Sequence, residues 1–361
     1  MQLSNYQKIV IKIGSSVIIS EKNTMRKKWL KELAREIKKL QKSGVQVVLV
    51  CSGAIACACK ALGRERADLD ISELQAYAAY GQAILIETIK KQFKAAKLEA
   101  AQMLITSADA GNRKRYLNMR STINNLLDLN IVPVINENDS VATEEITFGD
   151  NDGLSVQVAH LISADLLILL SDVAGLYDAN PKTEANAKLL TNIKKIDDKI
   201  YALAQKDTSK YGTGGMFSKI KAADLATSAG TDVLITKGAE NIFALEKNKP
   251  YSFFKGATKK LSAKKRWISH LKIAGQVAIN DQAVKALKEK EISILPVGVT
   301  AFSGNFKFGD LIAITNEKGK ILAKGLAHLS SSELKKALGK NSQELGKKYI
   351  GIHRDNLLLT N

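Results

Sequence analysis

Two lysines in this sequence sit where main-chain amides can close around an anion. Lys12 leads into Gly14-Ser15-Ser16, and Lys219 ends the glycine-rich run Gly212-Thr213-Gly214-Gly215-Met216-Phe217-Ser218. Small side chains of this kind let backbone N–H groups approach a phosphate or carboxylate. Between the lysines lie two polar clusters, Asn136-Glu137-Asn138-Asp139 and Phe148-Gly149-Asp150-Asn151-Asp152. Ser52-Gly53-Ala54-Ile55-Ala56 is a small-residue turn entering a helix, whose N-terminal dipole favours negative charge. Ser171-Asp172 closes a further apolar run. Two cations flanking a carboxylate suit phosphoryl transfer onto an anion, because two negative groups must be brought in line and the phosphoryl oxygens neutralised in flight. Asp152 is the carboxylate expected to hold both ammonium groups, since it opens a helix beside the Asn/Asp cluster.

The elements that must position these residues follow from periodicity. Ile9–Ile13, Val45–Val50, Gln102–Thr106, Ile131–Ile135, Leu166–Leu170 and Val233–Thr236 are continuous in apolar residues and read as buried strands. Lys27–Lys42, Ser72–Gln92, Arg113–Leu129, Asp152–Ile162 and Ser218–Ala229 have helical spacing. Strands alternating with helices predict an α/β fold with a mainly parallel sheet covered on both faces. In such a sheet ligands bind beyond the carboxyl ends of the strands, which is where the singled-out segments fall. Lys12 and Lys219 are expected to reach the site from opposite ends of the sheet. Past Pro250 a lysine-rich segment precedes shorter strand candidates, Ile292–Leu295, Val297–Thr300, Asp310–Thr315 and Ile321–Lys324, with glycines between them. The expected division is a domain over 1–254, a basic linker over 255–266 and a small β-rich domain over 267–361.

Composition narrows the classes. With 361 residues, 45% hydrophobic and 25% charged, the chain can bury a sizeable core. No apolar run is long enough to span a bilayer and the start lacks a signal-peptide pattern, so the expected location is cytoplasmic, away from membranes. Cys51, Cys57 and Cys59 suit neither a disulfide framework nor a spaced zinc site, and the four histidines have no metal-site spacing, so no protein-held metal is expected. Neither GxxxxGK[ST] nor GxGxxG occurs, which speaks against P-loop and Rossmann dinucleotide sites. The net charge is +18, and residues 255–361 hold 20 Lys+Arg against 8 Asp+Glu. That excess keeps an RNA-binding reading open for the C-terminal part, although its strands carry no evident aromatic stacking platform.

The segments VIKIGSSVI (10–18), SGAIA (52–56), INENDSVATEEITFGDND (135–152), Ser171-Asp172 and GTGGMFSK (212–219) resemble the glutamate 5-kinase family of the amino acid kinase superfamily along the length of the chain. INEND…GDND and the TGGM loop are specific, whereas KIGSS and SGAIA indicate the superfamily alone. The part from about Trp267 resembles the PUA domain, an RNA-binding β fold in other proteins.

The resemblance implies an αβα sandwich that uses ATP and Mg²⁺ to convert L-glutamate to L-glutamyl 5-phosphate, the first step of proline biosynthesis. It further implies feedback inhibition by proline, a homo-oligomer (dimer or tetramer) and a glutamyl-phosphate reductase as partner. Carried over residue by residue, Lys12 and Lys219 stabilise the transferring phosphoryl group and Asp152 organises them. Ser52, Asp139 and Asn151 bind glutamate; Lys12, Ser171, Asp172 and Thr213, Gly214, Gly215, Met216, Phe217, Ser218 and Lys219 line the ATP site. Ser171 and Ser218 stand where threonine is common, with the hydroxyl retained, and Cys57 and Cys59 stand where smaller residues are usual. The tract Ser140–Phe148 reads as a mobile loop over the substrate, with Glu145 tuning proline inhibition at a site overlapping that for glutamate. The alternatives are a kinase of the same superfamily acting on another carboxylate, such as acetylglutamate or aspartate, and an RNA-binding protein with an inactive kinase-like part.

Overall fold

A computed structural model describes residues 1–20, 24–142, 151–181, 183–184, 186–205, 215–238, 249–258, 260–290, 293–340, 344 and 351–359. The chain forms two compact units, Met1–Lys260 and Leu261–Asn361. Among the described residues no helix is long and apolar enough to cross a membrane.

The first unit is built on β1 (Lys8–Ile13), β2 (Gln46–Cys51), β3 (Glu99–Ile105), β4 (Ile131–Glu137), β5 (Leu166–Ser171), β6 (Asn192–Ile193), β7 (Asp232–Lys237) and β8 (Tyr251–Phe254). They join in the order β3-β4-β2-β1-β5-β7-β8-β6. All neighbouring pairs are parallel except β7 with β8. Strands buried on both faces explain the continuous apolar runs. Chain order departs in opposite directions from β1 and β5, so the crevice at their carboxyl ends is the topological switch point.

Helices α1 (Ser15–Ile18), α2 (Lys27–Lys42), α3 (Ala54–Leu62), α4 (Ile71–Lys94), α5 (Ser107–Gly111), α6 (Arg113–Asp128), α7 (Asn151–Ile162), α8 (Asp198–Gln205) and α9 (Met216–Ser228) cover it. α2 buries Leu30, Leu33, Ala34, Ile37 and Leu40 at helical spacing and turns its lysines outward. These residues share a core with Ile9, Ile11, Ile13, Val47, Leu49, Ile168 and the inner face of α4. Lys12 alternates with Ile11 and Ile13 and therefore points to the other face, where α7 packs. α7 is buried nearly all round, as a helix between a sheet and a second helix layer must be. The mainly parallel αβα sandwich agrees with the expected fold class.

The positions of the lysines differ from expectation. Lys12 lies on β1, a central strand, and Lys219 lies on α9, so they do not come from opposite ends of the sheet. Strand order is set by pairing between distant segments, which local spacing does not encode. At the amino ends of the strands Asp165 accepts the N–H groups of Gln7 and Lys8, both at 3.0 Å, and pairs with Lys260 at 2.6 Å. Lys255 pairs with Asp232 at 3.0 Å, so the start of the basic segment is tied to the first unit.

The second unit contains β9 (Ile273–Ile279), β10 (Val299–Gly304), β11 (Leu311–Asn316), β12 (Ile321–Leu326) and β13 (Leu357–Leu359), ordered β10-β9-β11-β12-β13. α10 (Ala263–Ser269), α11 (Asp281–Lys290) and α12 (Ser331–Ala337) accompany them. Two expected strands are corrected. Within Ile292–Leu295, Ile294 makes only an isolated bridge to Ile352, residue 292 being outside the described set. The strand placed at Val297–Thr300 starts at Val299, because Pro296 opens a 3₁₀ turn through Gly298 and has no N–H for a ladder. Gly275 breaks the apolar pattern of β9, and the packing requires it: a Cβ there would meet Phe306 and the Ser303 carbonyl at 2.6 Å.

One glycine governs how α3 is placed over the sheet. A Cβ at Gly81 of α4 would lie 1.8 Å from the carbonyl oxygen of Ala54, in the first turn of α3. Gly81→Ala must push α3 outward, and we expect it to destabilise the protein by roughly 1–3 kcal/mol, the usual range for overpacking. Gly111→Ala meets nothing within 4 Å and serves as the control, with an expected effect within about 1 kcal/mol. Equal denaturation midpoints for the two variants would contradict the close approach of α3 to α4.

Candidate active site

The carboxyl end of β1 brings a lysine into the sheet's interior layer. Lys12 is 4% exposed, Asp152 at the start of α7 is 1% exposed and Lys219 in the first turn of α9 is 5% exposed. Lys12 Nζ lies 2.7 Å from Asp152 Oδ1, and Lys219 Nζ lies 3.3 Å from Oδ2. Ser218 Oγ donates to the same Oδ2 at 3.2 Å. One carboxylate therefore holds two ammonium groups, as expected from the sequence. Burial pushes the Asp152 carboxyl up, and the two lysine charges more than reverse this, leaving it below the usual carboxylate range. Two helices, α7 and α9, point their N-termini at this cluster and add positive potential. Gly14 sits alongside: a Cβ there would be 3.8 Å from Lys12 Nζ.

Beside the cluster runs a buried chain of amides. Asn151 Nδ2 donates towards Cys51 O at 3.0 Å, Ser52 Oγ at 2.8 Å and Asn136 Oδ1 at 3.0 Å, and Asn136 Nδ2 donates to Gln82 Oε1 at 2.8 Å. Asn151 Oδ1 is buried with no hydrogen-bond partner among the described residues, an acceptor still to be satisfied. Ser52 precedes α3, and Gly53 caps that helix with φ +114, a left-handed conformation suited to glycine. Sequence reasoning placed Ser52 and Asn151 together and did not select Asn136 or Gln82. A signal for Gln82 exists: it lies on the buried stripe Ala78, Gly81, Gln82, Leu85, Ile89, Phe93 of α4, where a polar side chain needs a partner.

The remaining expected site residues are distributed more widely. Asp139 follows β4 in a turn closed by Val141 and Ala142 N–H groups on Asn138 O. It is half-buried, and burial pushes its carboxyl up to about 6, with Arg66 acting in the opposite direction. Ser171 Oγ donates to Asp172 Oδ1 at 3.0 Å at the carboxyl end of β5; Ser171 is buried and Asp172 exposed. Gly215 caps α9, Met216 is buried, and Phe217 is partly exposed with its ring 5.8 Å from that of Tyr201 on α8. Thr213, Gly214, Glu145 and residues 143–148 of the expected loop lie outside the described residues. Cys51 and Cys57 are buried, and burial pushes the Cys51 thiol up to about 12, which fits core side chains rather than nucleophiles. Among the described residues no three His, Cys, Asp or Glu side chains gather as a metal cage.

Residues 7–237 match the Amino acid kinase family, and residues 275–349 match the PUA domain. The glutamate 5-kinases of Brucella abortus, Brucella ovis and Brucella melitensis are each 39% identical to the chain, over 99% of its length and 97% of theirs. The carbamate kinase from Giardia lamblia bound to AMP-PNP superposes with a TM-score of 0.51 at 18% identity, covering 71% of this chain and 100% of its own, a likeness of fold. The chain thus belongs to the amino acid kinase family, among its glutamate 5-kinases, with a PUA domain following the kinase domain.

Proposed function

We propose that the protein transfers the γ-phosphoryl group of ATP to the side-chain carboxylate of L-glutamate, giving L-glutamyl 5-phosphate and ADP in the first step of proline biosynthesis. The observation that carries this reading is the Asp152 carboxylate holding Lys12 and Lys219, all three side chains buried. The three charges sum to +1, an arrangement complementary to an incoming anion. As the phosphoryl group leaves ADP, the two ammonium groups neutralise its oxygens while Asp152 fixes their positions, so little reorganisation is needed at the moment of transfer.

Glutamate lies along the amide chain. Ser52, the N-terminus of α3 and Asn151 receive the reacting carboxylate, and Asp139 pairs with the α-ammonium group. ATP enters from the side of β5 and α9, against Ser171, Asp172 and the segment 213–219. Val173, Leu176, Tyr177, Leu203 and Met216 line a shallow, mostly apolar recess on that side, against which the base is proposed to pack. Mg²⁺ suits this site as part of the nucleotide complex, held by phosphate oxygens and water with at most one or two carboxylates, because Asp152 is occupied by lysines. Bound there it would offset phosphate charge. Proline is proposed to compete in the same pocket, its amino group on Asp139 and its single carboxylate at Ser52 and Asn151, where the side-chain carboxylate of glutamate otherwise lies. The protein is proposed to act as a cytoplasmic homo-oligomer that passes its labile acyl phosphate to a reductase.

A second reading concerns the C-terminal unit, for which the sequence suggested no stacking platform. Phe308 is 70% exposed on the turn before β11, its ring 5.4 Å from His328, which stacks on His353 at 6.1 Å with an interplanar angle of 27°. Lys307 and Arg354 are exposed nearby in sequence. We propose that this ring ladder contacts bases of single-stranded RNA in addition to, not instead of, catalysis.

The substrate is tested by ADP formation with glutamate, acetylglutamate and aspartate in turn; turnover restricted to either of the latter two would overturn the assignment. Lys219→Ala should lower kcat by about 10²–10³-fold and raise KM for glutamate far less, because its charge matters most in the transition state. A pure KM effect would remove Lys219 from the catalytic role. Asp152→Asn should abolish most activity and also destabilise the fold by roughly 3–5 kcal/mol near neutral pH, since two buried lysines lose their partner. The Asp152 carboxyl is depressed in the folded state, so the wild type's advantage is complete above the ordinary carboxylate range and fades as pH falls through the lower folded value. Denaturation curves differing by the same amount at both ends of that range would contradict the pairing. For the second reading, Phe308→Ala in the full chain should weaken binding of a uridine oligonucleotide by about 10-fold with kinase activity unchanged. Unaltered RNA affinity would dismiss the ladder as a platform.

A further inference from the structure

A buried amide is costly unless its donors meet acceptors, and a row of buried amides must therefore point in one consistent direction. In the row beside the lysine cluster that direction is set at one end. Asn151 Nδ2 lies 3.0 Å from the main-chain oxygen of Cys51, which can accept a hydrogen bond and never donate one. Asn151 must then turn its amino group towards β2 and β4, so Asn136 has to offer Oδ1, which it does at 3.0 Å. Asn136 Nδ2 is left pointing at α4, where it needs an acceptor, and Gln82 Oε1 supplies one at 2.8 Å. Asn136, Asn151 and Gln82 are all buried, so bulk water cannot stand in for a missing partner.

The direction of the row matters at Ser52. A hydroxyl has a single hydrogen to give. Asn151 Nδ2 donates to Ser52 Oγ at 2.8 Å, which frees that hydrogen for another acceptor, and among the described residues Ser52 Oγ makes no other hydrogen bond. Were Asn136 to flip, its Nδ2 would face Asn151 Nδ2, donor against donor, and Asn151 would lose the contact that holds it beside Ser52. The acceptor that closes the row sits on an anchored stretch of helix. Gln82 follows Gly81, where α4 presses on the Ala54 carbonyl two residues after Ser52. Gln75, seven residues earlier and so on about the same face of α4, donates to Ala142 O at 3.0 Å, so this face grips the segment 136–142 at both ends.

We infer that Gln82 is a positioning residue for glutamate: its Oε1 fixes Asn136, Asn136 fixes Asn151, and Asn151 keeps the Ser52 hydroxyl turned as a donor to the carboxylate that is phosphorylated. This rests on the reading of Ser52 given above. Gln82 acts through two amides and touches no substrate itself.

The test is steady-state kinetics of the full chain with glutamate and ATP varied in turn. Gln82→Met keeps the volume and replaces the carbonyl by a thioether, a weak acceptor. It should raise KM for glutamate by about 10-fold, the scale of one lost hydrogen bond, and leave KM for ATP within about 2-fold. Gln82→Leu repeats the measurement should the methionine variant not fold. Gln82→Glu retains an acceptor and should recover part of the loss. In an Asn136→Ala background Gln82→Met should add less than about 2-fold, because residues acting through one another are not additive. If KM for glutamate is unchanged in Gln82→Met, if both KM values rise alike, if Gln82→Glu is as impaired as Gln82→Met, or if the two substitutions multiply in full, Gln82 is only a packing residue and the proposal falls. Ser52→Ala separates this from the underlying reading: an unaltered KM for glutamate there would overturn the role of Ser52 first, whatever Gln82 does.

Discussion

A carboxylate cannot be buried alone at low cost, and neither can two lysines. Removing each ion from water costs several kcal/mol, a penalty that attraction repays only in good geometry. The Lys12–Asp152–Lys219 cluster meets this requirement with contacts of 2.7 and 3.3 Å from opposite sides of one carboxylate. Its members come from β1, α7 and α9, so the cluster forms only when the central strand, the buried helix and the second helix layer are all in place. The charge left over makes the crevice receptive to an anion before any ligand arrives.

From that cluster the rest of the site extends along the carboxyl ends of the strands. The nucleotide contacts proposed above lie towards β5 and the start of α9, and the proposed amino acid contacts lie towards β2 and β4. Asn151 and Asp152 are adjacent on α7 and look both ways: one joins the amide chain to Ser52 and Asn136, the other holds the lysines. Under the proposed function, this single helix start couples substrate position to the charges that act on the phosphoryl group. The close approach of α3 to α4 at Gly81 serves the same end by fixing the turn that carries Ser52.

Much of this was legible in the sequence, for physical reasons that can be named. Lys12 stands out as a charge inside an apolar strand, Lys219 as a cation closing a glycine-rich helix entry, and Asp152 as a carboxylate opening an apolar helix. Each is costly or unusual unless used. The pairing of Asn136 with Gln82 was not legible, because it joins residues 54 positions apart on a strand and a helix. In the first sheet, β6 and β8 are too short to show periodicity, and in the second, β9 is interrupted by a glycine whose reason is Phe306, a tertiary neighbour.

The central claim is that Lys12 and Lys219 act together on the phosphoryl group in transfer, with Asp152 holding them. A crystal structure of the protein with glutamate, MgADP and aluminium fluoride, a mimic of the transferring group, addresses it directly. The account predicts both lysine Nζ atoms within hydrogen-bond distance of the fluoride ligands while each remains on Asp152, with the glutamate side-chain carboxylate in line behind the metal fluoride. A complex in which either lysine points away from the fluoride, or in which glutamate approaches from elsewhere, would contradict it.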